Sequence, residues 1–201
     1  MKKLAKLFGF ALVAMVLFAG CGKKDKWKDV TEDCSKIELD EGDWVATSYY
    51  YEEIDVTKAP SEVAMIIAMA GVTSGTVTIE DESEISFTVK DGKVDVTSEE
   101  NISSIEFPSD TETIKIDAVV EAAKLMDSDA DISRKGTKLK SKETTAEDKL
   151  SKGVAVDRFA SRLENRVDMS KLKTNEDKTK YRYYEKAEDG KSEVEMTLAK
   201  D

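Results

Sequence analysis

The chain of 201 residues contains no histidine, two cysteines and few aromatic residues. Without histidine it has no imidazole general base, no Ser-His-Asp or Cys-His catalytic site and no imidazole metal ligand. We also find no phosphate-binding loop and no dinucleotide fingerprint. Carboxylate-based hydrolysis is the catalytic design that remains, but 42 acidic residues offer too many pairs to single one out. The sequence therefore predicts a protein that is not an enzyme and that holds no metal or cofactor.

The chain has fewer basic than acidic residues. It contains 31 Lys and Arg residues and 42 Asp and Glu residues, which gives a net charge of −11. A protein that binds nucleic acid needs a basic surface that displaces counterions, so this balance argues against a nucleic-acid partner. The length fits one domain, and a mature region of roughly 180 residues can bury about two thirds of its unfolded surface. A hydrophobic core is therefore possible.

The first twenty residues have the pattern of a secretory signal peptide. Three lysines lie among the first six residues, an apolar stretch follows over residues 7–18, and Ala19 and Gly20 are the small residues that a peptidase site needs. The apolar stretch is shorter than the roughly 20 residues that a membrane-spanning helix requires. We expect residues 1–20 to be absent from the mature protein.

The next residue is a cysteine, and Phe18-Ala19-Gly20-Cys21 resembles the lipobox of bacterial lipoproteins. Phe18 departs from the pattern, because leucine is usual there. The resemblance implies that Cys21 carries a diacylglycerol thioether and becomes the mature N-terminus. The alternative is an ordinary signal peptide followed by a chance cysteine.

Lipidation of Cys21 would hold the protein on an extracytoplasmic face of a bacterial membrane, since two or more acyl chains anchor stably. Cys34 would then have no partner for an intrachain disulfide. Residues 21–41 are charged and predict a linker. Its lysines and Trp27 either settle against lipid head groups or form a solvated tether.

Strands dominate the pattern of residues 42–201, which we interpret as one α+β domain. Alternating apolar residues and Asp-Gly turns predict strands over 44–51, 76–80, 84–90, 93–97, 103–107 and 112–116, and a final hairpin that contains 181–184 and 194–198. Helical spacing predicts helices from Pro60 to Gly71, after Asp117, and over 155–169. The polar stretch 127–153 is predicted to be a long loop or insertion.

Gly42-Asp43-Trp44, at the start of the first strand, resembles the Gly-x-Trp motif of lipocalins, and the order strand, helix, meander is similar to that of small lipocalin-like lipoproteins of bacteria. The resemblance implies an antiparallel meander that forms a barrel or a curved sheet, with Trp44 closing one end. In that family an arginine often packs on the tryptophan, and Arg182 is the candidate here. Residues 117–180 have no obvious place in an eight-stranded barrel.

The apolar residues of the meander are the candidate ligand-binding set. They are Val77, Ile79, Ile85, Phe87, Val89, Val94 and Val96. Alternation with a period of two does not distinguish the lining of a cup from a packed core, so both interpretations stay open. The function predicted from the sequence is that of a membrane-anchored binding module for an apolar or amphipathic small molecule.

Arg158, Arg162 and Arg166 recur at helical spacing on the predicted helix 155–169 and form a basic stripe in an acidic protein. Arginine suits carboxylate and phosphate partners, so the alternative function is docking to an envelope or host protein through this stripe or an acidic surface. The alternative, which the pattern favours, is a solvated helix face on which the arginines pair with Asp157 and Glu164. Residues 127–131 imitate the start of a calcium-binding loop, but Ile132 stands where that loop needs glycine.

Overall fold

A computed structural model describes residues 26–126, 130–145, 148–150, 156, 159 and 167–201. These residues form two α-helices, α1 (Ser61–Met69) and α2 (Thr113–Met126). They also form ten strands: β1 (Lys28–Asp29), β2 (Gly42–Asp55), β3 (Thr76–Lys90), β4 (Lys93–Glu106), β5 (Asp131–Lys135), β6 (Lys138–Thr145), β7 (Asp148–Leu150), β8 (Lys173–Thr174), β9 (Lys180–Lys186) and β10 (Ser192–Lys200). The α+β, strand-rich class predicted from the sequence is confirmed.

All strands belong to one antiparallel sheet with the order β1-β8-β9-β10-β2-β3-β4-β6-β5, and β7 pairs with β4. Among the described residues the path of pairings ends at β1 and at β5, so the sheet is open and not closed into a barrel. The predicted meander is present as β2, β3 and β4, and the predicted C-terminal hairpin is present as β9 and β10.

Two of these strands are longer than the sequence predicts. The stretches 76–80 and 84–90 belong to the single strand β3, and 93–97 and 103–107 fall almost entirely within β4. Polar residues at the middle of each strand ended the apolar alternation, although the backbone pairing continues through them. The Asp91-Gly92 turn that joins β3 to β4 has positive φ at both residues, as its sequence predicts.

One face of the sheet, the inner face, is covered by two apolar clusters. The Trp44 cluster comprises Ile37, Leu39, Trp44, Ala46, Tyr50, Ile85, Phe87, Val89, Val94, Val96, Val156, Phe159, Leu172, Tyr181, Tyr183, Val194, Met196 and Leu198. The helix cluster comprises Ile54, Val63, Ile66, Ile67, Ala70, Val77, Ile105, Phe107, Ile116, Val119, Val120, Ala123, Ile132 and Leu139. The opposite, outer face carries the alternate residues of each strand, which are half-buried or exposed apart from the buried Ser104.

Helix α1 begins directly after Pro60 and is followed by Gly71 with φ +67°, as predicted. The strand predicted over 112–116 is wrong, because α2 begins at Thr113. The β-branched residues Thr113, Ile114 and Ile116 are typical of a strand. Helical spacing relates the buried residues Ile116, Val119, Val120 and Ala123. Burial of this apolar stripe against the sheet favours a helix over a strand in this segment.

Two stretches predicted to lack structure contain parts of the sheet. The stretch 127–153 contains β5, β6 and β7, whose few apolar residues include the buried Ile132 and Leu139. In the stretch 21–41, β1 pairs with β8, and Ile37 and Leu39 are buried in the Trp44 cluster. Strands with one polar face and little apolar surface give only a weak sequence signal, which explains both differences.

Candidate functional site

The seven apolar residues predicted to line a ligand site all lie on the inner face, but in different surroundings. Val77 belongs to the helix cluster, and Ile79 contacts both clusters. The other five belong to the Trp44 cluster, where the rings of Phe87 and Phe159 stack with centroids 4.8 Å apart. The structure therefore divides the predicted set between two apolar regions.

Between the two clusters the inner face is polar. We call this region the polar band. It consists of two cross-strand rows over β2, β3, β4 and β6, which are Tyr50-Asp81-Ser103-Ser141 and Ser48-Ser83-Asn101-Glu143. Tyr50 belongs to the Trp44 cluster as well and so joins the band to it. Side chains paired across neighbouring strands have Cβ atoms about 5 Å apart. The band therefore runs from β2 to β6, with apolar residues on either side of it along β2, β3 and β4.

Most of the band is removed from solvent. Ser48, Asp81, Ser83 and Ser103 are each at most 8% exposed, and Ser141 is 0% exposed. The hydroxyl oxygens of Ser48 and Ser83 lie 3.2 Å apart and form a hydrogen bond. Ser141 Oγ has no hydrogen-bond partner among the described residues. A buried hydroxyl without a partner is costly, so it marks a place that a water or a ligand group can occupy.

A β-bulge at Thr97 determines which residues of β4 face inward. Ser86 pairs with Ser98 but Phe87 pairs with Val96, so Thr97 is the extra residue, and its hydroxyl donates to the Ser86 carbonyl at 3.0 Å. Because the side-chain period is two, the bulge turns the odd-numbered residues of the following segment inward. It thereby places Asn101 in the band.

The band and its immediate borders are rich in carboxylates. The Tyr50 hydroxyl donates a hydrogen bond to Glu52, and Asn101 Nδ2 donates one to Glu99 at 3.1 Å. Asp81 and Glu143 lie in the two rows themselves. No lysine or arginine of the described strands stands in either row. The arrangement presents hydroxyl groups and carboxylates together in a poorly solvated setting.

Gly42 and Trp44 stand where the Gly-x-Trp resemblance puts them, at the start of the first long strand. Trp44 is 1% exposed and donates from Nε1 to the carbonyl of Asp40 at 2.8 Å. Gly42 has φ +133°, and a Cβ there would lie 2.8 Å from Lys200 Cε. Arg182, the candidate to pack on the tryptophan, lies on the outer face instead, where it pairs with Glu195 and covers the ring of Tyr184. That part of the resemblance is wrong, because Arg182 and Trp44 face opposite sides of the sheet.

The outer face carries tyrosines among carboxylates. Burial and the nearby charges of Glu80, Glu193 and Glu82 raise the pKa of Tyr49 to about 12. Burial, and then the charge of Glu80, raise the pKa of Glu82, which is paired with Tyr49 across the strands. Lysines of this face neutralise some of the carboxylates. The Nζ atom of Lys138, for example, lies 2.6 Å from Oε2 of Glu80.

Several predicted site residues fall outside the described part of the chain. They are Cys21, predicted to carry the lipid, and Arg158, Arg162 and Arg166 of the predicted basic stripe. Cys34, which is described, is half-buried, and its thiol donates to the carbonyl of Met169 at 3.9 Å. Within the described residues we find no group of three or more His, Cys, Asp or Glu that could hold a metal, and no helix with the length and hydropathy to span a membrane.

Sequence reasoning missed the polar band, although a signal for it was present. Ile79 and Ile85 are six residues apart, an even number, so an unbroken strand puts Asp81 and Ser83 on the same face as both isoleucines. The register of β6 against β4 has no comparable signal, because serine and lysine alternate there without an apolar pattern.

A comparison of this chain with protein-family models, with curated proteins and with solved structures found no match.

Proposed function

We propose that this protein is a lipid-anchored, non-enzymatic binding protein of a bacterial cell envelope, and that the inner face of its sheet holds an amphipathic small molecule. The observation that carries the proposal is the buried polar band between two apolar clusters. An amphipathic molecule could place its polar group against the band and its apolar part along one of the clusters. A purely apolar ligand would leave the buried Ser141 hydroxyl without a partner.

The energetics of the band support a binding role over a structural one. Each buried polar group that lacks a full set of partners costs about 1–3 kcal/mol, whereas an apolar residue of similar size would contribute favourably to the core. Ser48, Ser83 and Ser141 are buried in the sheet, and Ser141 Oγ lacks a partner among the described residues. Hydroxyl groups at these buried positions are therefore expected to have a binding role, namely to hydrogen-bond the polar group of a ligand.

The lipocalin-like relationship is part of the proposal. It rests on Gly42 and Trp44 at the start of β2, on α1 between the first two long strands, and on the meander of β2, β3 and β4. The anchor at Cys21 rests on the lipobox pattern of the sequence. An anchored binding module would keep a captured molecule at the membrane surface.

Native mass spectrometry of the mature protein, purified without added lipid or detergent after removal of the anchor, tests the binding role. We expect a second species heavier by the mass of one small molecule, which dissociates on activation. Ser83→Val should reduce the fraction of that species, because it replaces a hydroxyl of the band with an apolar group. Ser133→Val is the matched control, since Ser133 is exposed on the edge strand β5. A single unliganded mass under all conditions would contradict the proposal.

A further inference from the structure

We propose that the polar group held by the inner face is cationic, so that the ligand is an amphipathic amine with an ammonium head group. This inference rests on the proposed binding function and specifies the chemistry of its polar end. The head group would lie against the row Tyr50-Asp81-Ser103-Ser141. The apolar part would extend along one of the two flanking clusters.

The first reason is the chemistry of the groups in the band. Carboxylates only accept hydrogen bonds, and a serine hydroxyl accepts as well as donates, whereas an ammonium group has three donors and no acceptor. Asp81 lies next to Ser103 in the register, and Ser103 lies next to Ser141. One ammonium group could therefore donate to a carboxylate and to hydroxyl oxygens on neighbouring strands.

The second reason is Ser141 itself, which is independent of the carboxylates. Its Oγ is fully buried and has no partner among the described residues. It stands at the β6 end of the same row as Asp81, two strands away. Ser103 lies between these two residues, so a donor positioned over Ser103 would stand about one strand spacing from the serine oxygen and from the acidic residue.

The third reason is that the band is organised before a ligand arrives. Tyr50, Asp81, Ser103 and Glu143 each already interact within the protein. The Ser48–Ser83 hydrogen bond and the Thr97 bulge fix the neighbouring strands. Groups held in place in this way lose little conformational entropy on binding, so they discriminate between head groups by charge and geometry.

The net charge of the whole chain also favours a cationic ligand. Loss of the three lysines among residues 1–20 would leave 28 basic and 42 acidic residues, a net charge of −14. Such a field attracts cations and repels anions before contact. An anionic head group, such as that of a fatty acid, would meet both this field and the carboxylates of the band.

The test compares three probes that share one decyl chain: decylamine, decanol and decanoate. Each is titrated by calorimetry, below its aggregation concentration, into the mature chain without its lipid (residues 22–201), which contains every described residue. We expect decylamine to bind about tenfold or more tightly than decanol, the difference typical of a charged hydrogen bond, and decanoate to bind most weakly. Equal affinities for decylamine and decanoate would overturn the inference.

Variants locate the head group. Asp81→Asn should weaken decylamine binding about tenfold and leave decanol binding nearly unchanged, and Ser141→Ala should weaken decylamine binding by a smaller factor. Ser133→Ala and Asp95→Asn are matched exposed controls and should bind as the unchanged protein does. Full affinity of both band variants for decylamine would overturn the inference.

The outcomes separate the inference from the proposed function. If the three probes bind equally well, the binding function stands and the ammonium assignment fails. If none of them binds and no molecule co-purifies, the binding function fails and the inference fails with it.

Discussion

At the scale of single residues, the burial of the Ser141 hydroxyl has a measurable consequence for stability. In the ligand-free protein its buried hydroxyl lacks a partner among the described residues, so its removal relieves a desolvation cost. We predict that Ser141→Ala raises the free energy of unfolding by about 1 kcal/mol, measured by urea denaturation. Ser133→Ala should change it by less than about 0.5 kcal/mol, because Ser133 is exposed. Destabilisation by Ser141→Ala would show that the hydroxyl already has a structural partner.

Tyr49 gives a pH-dependent prediction at the same scale. Burial and neighbouring glutamates raise its pKa from 10.0 to about 12, so the folded state favours the protonated phenol. Its contribution to stability is therefore complete below pH 10 and is lost as the pH rises from 10 to 12. Denaturation at a series of alkaline pH values should show a smaller loss of stability for Tyr49→Phe than for the unchanged protein. Identical pH profiles would contradict the assignment.

At the scale of elements, the local sequence pattern and the tertiary packing favour different conformations at the start of helix α2. In a strand, the side chains of residues 114 and 116 would share one face, but in the helix Ile114 is 73% exposed and Ile116 is 0% exposed. We predict that Ile116→Ala lowers the free energy of unfolding by about 2–5 kcal/mol, while Ile114→Ala changes it by less than about 0.5 kcal/mol. Thermal or urea denaturation of the two variants checks this difference. Similar losses of unfolding free energy for the two variants would indicate that residues 113–116 form a strand.

The sequence predicts elements well where a strong apolar pattern coincides with clear turn residues. Asp91-Gly92 and Asp189-Gly190 mark hairpins that the structure contains, and Pro60 marks the start of α1. The prediction fails where burial is slight, as in β5 and β6, whose buried residues are few and whose lysines and serines are typical of loops. The opposite failure occurs at residues 113–116, where β-branched residues imitate a strand until the helical stripe that follows is packed on the sheet.

The candidate site was predictable only in its apolar part. All seven predicted lining residues lie on the inner face, because alternation correctly assigns faces within each short strand. The polar band lies where the alternation of hydrophobic residues stops, so the pattern itself conceals it. Its rows depend on the pairing of β2, β3, β4 and β6 and on the bulge at Thr97, and pairing partners are a property of the whole sheet.

At the scale of the whole molecule, attachment to the membrane is predicted to depend on one thiol. If Cys21 carries two or more acyl chains, then Cys21→Ala should move the protein from the membrane fraction to the soluble fraction. Cys34→Ala is the matched control and should leave the protein on the membrane, because Cys34 lies within the fold near the Met169 carbonyl. Fractionation followed by immunoblotting measures both. Retention of the Cys21 variant on membranes would contradict the lipid anchor.

The open sheet, with apolar clusters at either end of its long strands and a polar band between them, suggests one role for the whole inner face. A crystal structure of the protein purified from its own membrane and freed of detergent is the most direct test of that role. We predict continuous electron density for a small molecule that contacts Asp81 and Ser141 and extends along Ile85 or Val77. An inner face on which protein side chains close the band completely, with at most an isolated water at Ser141, would contradict the account.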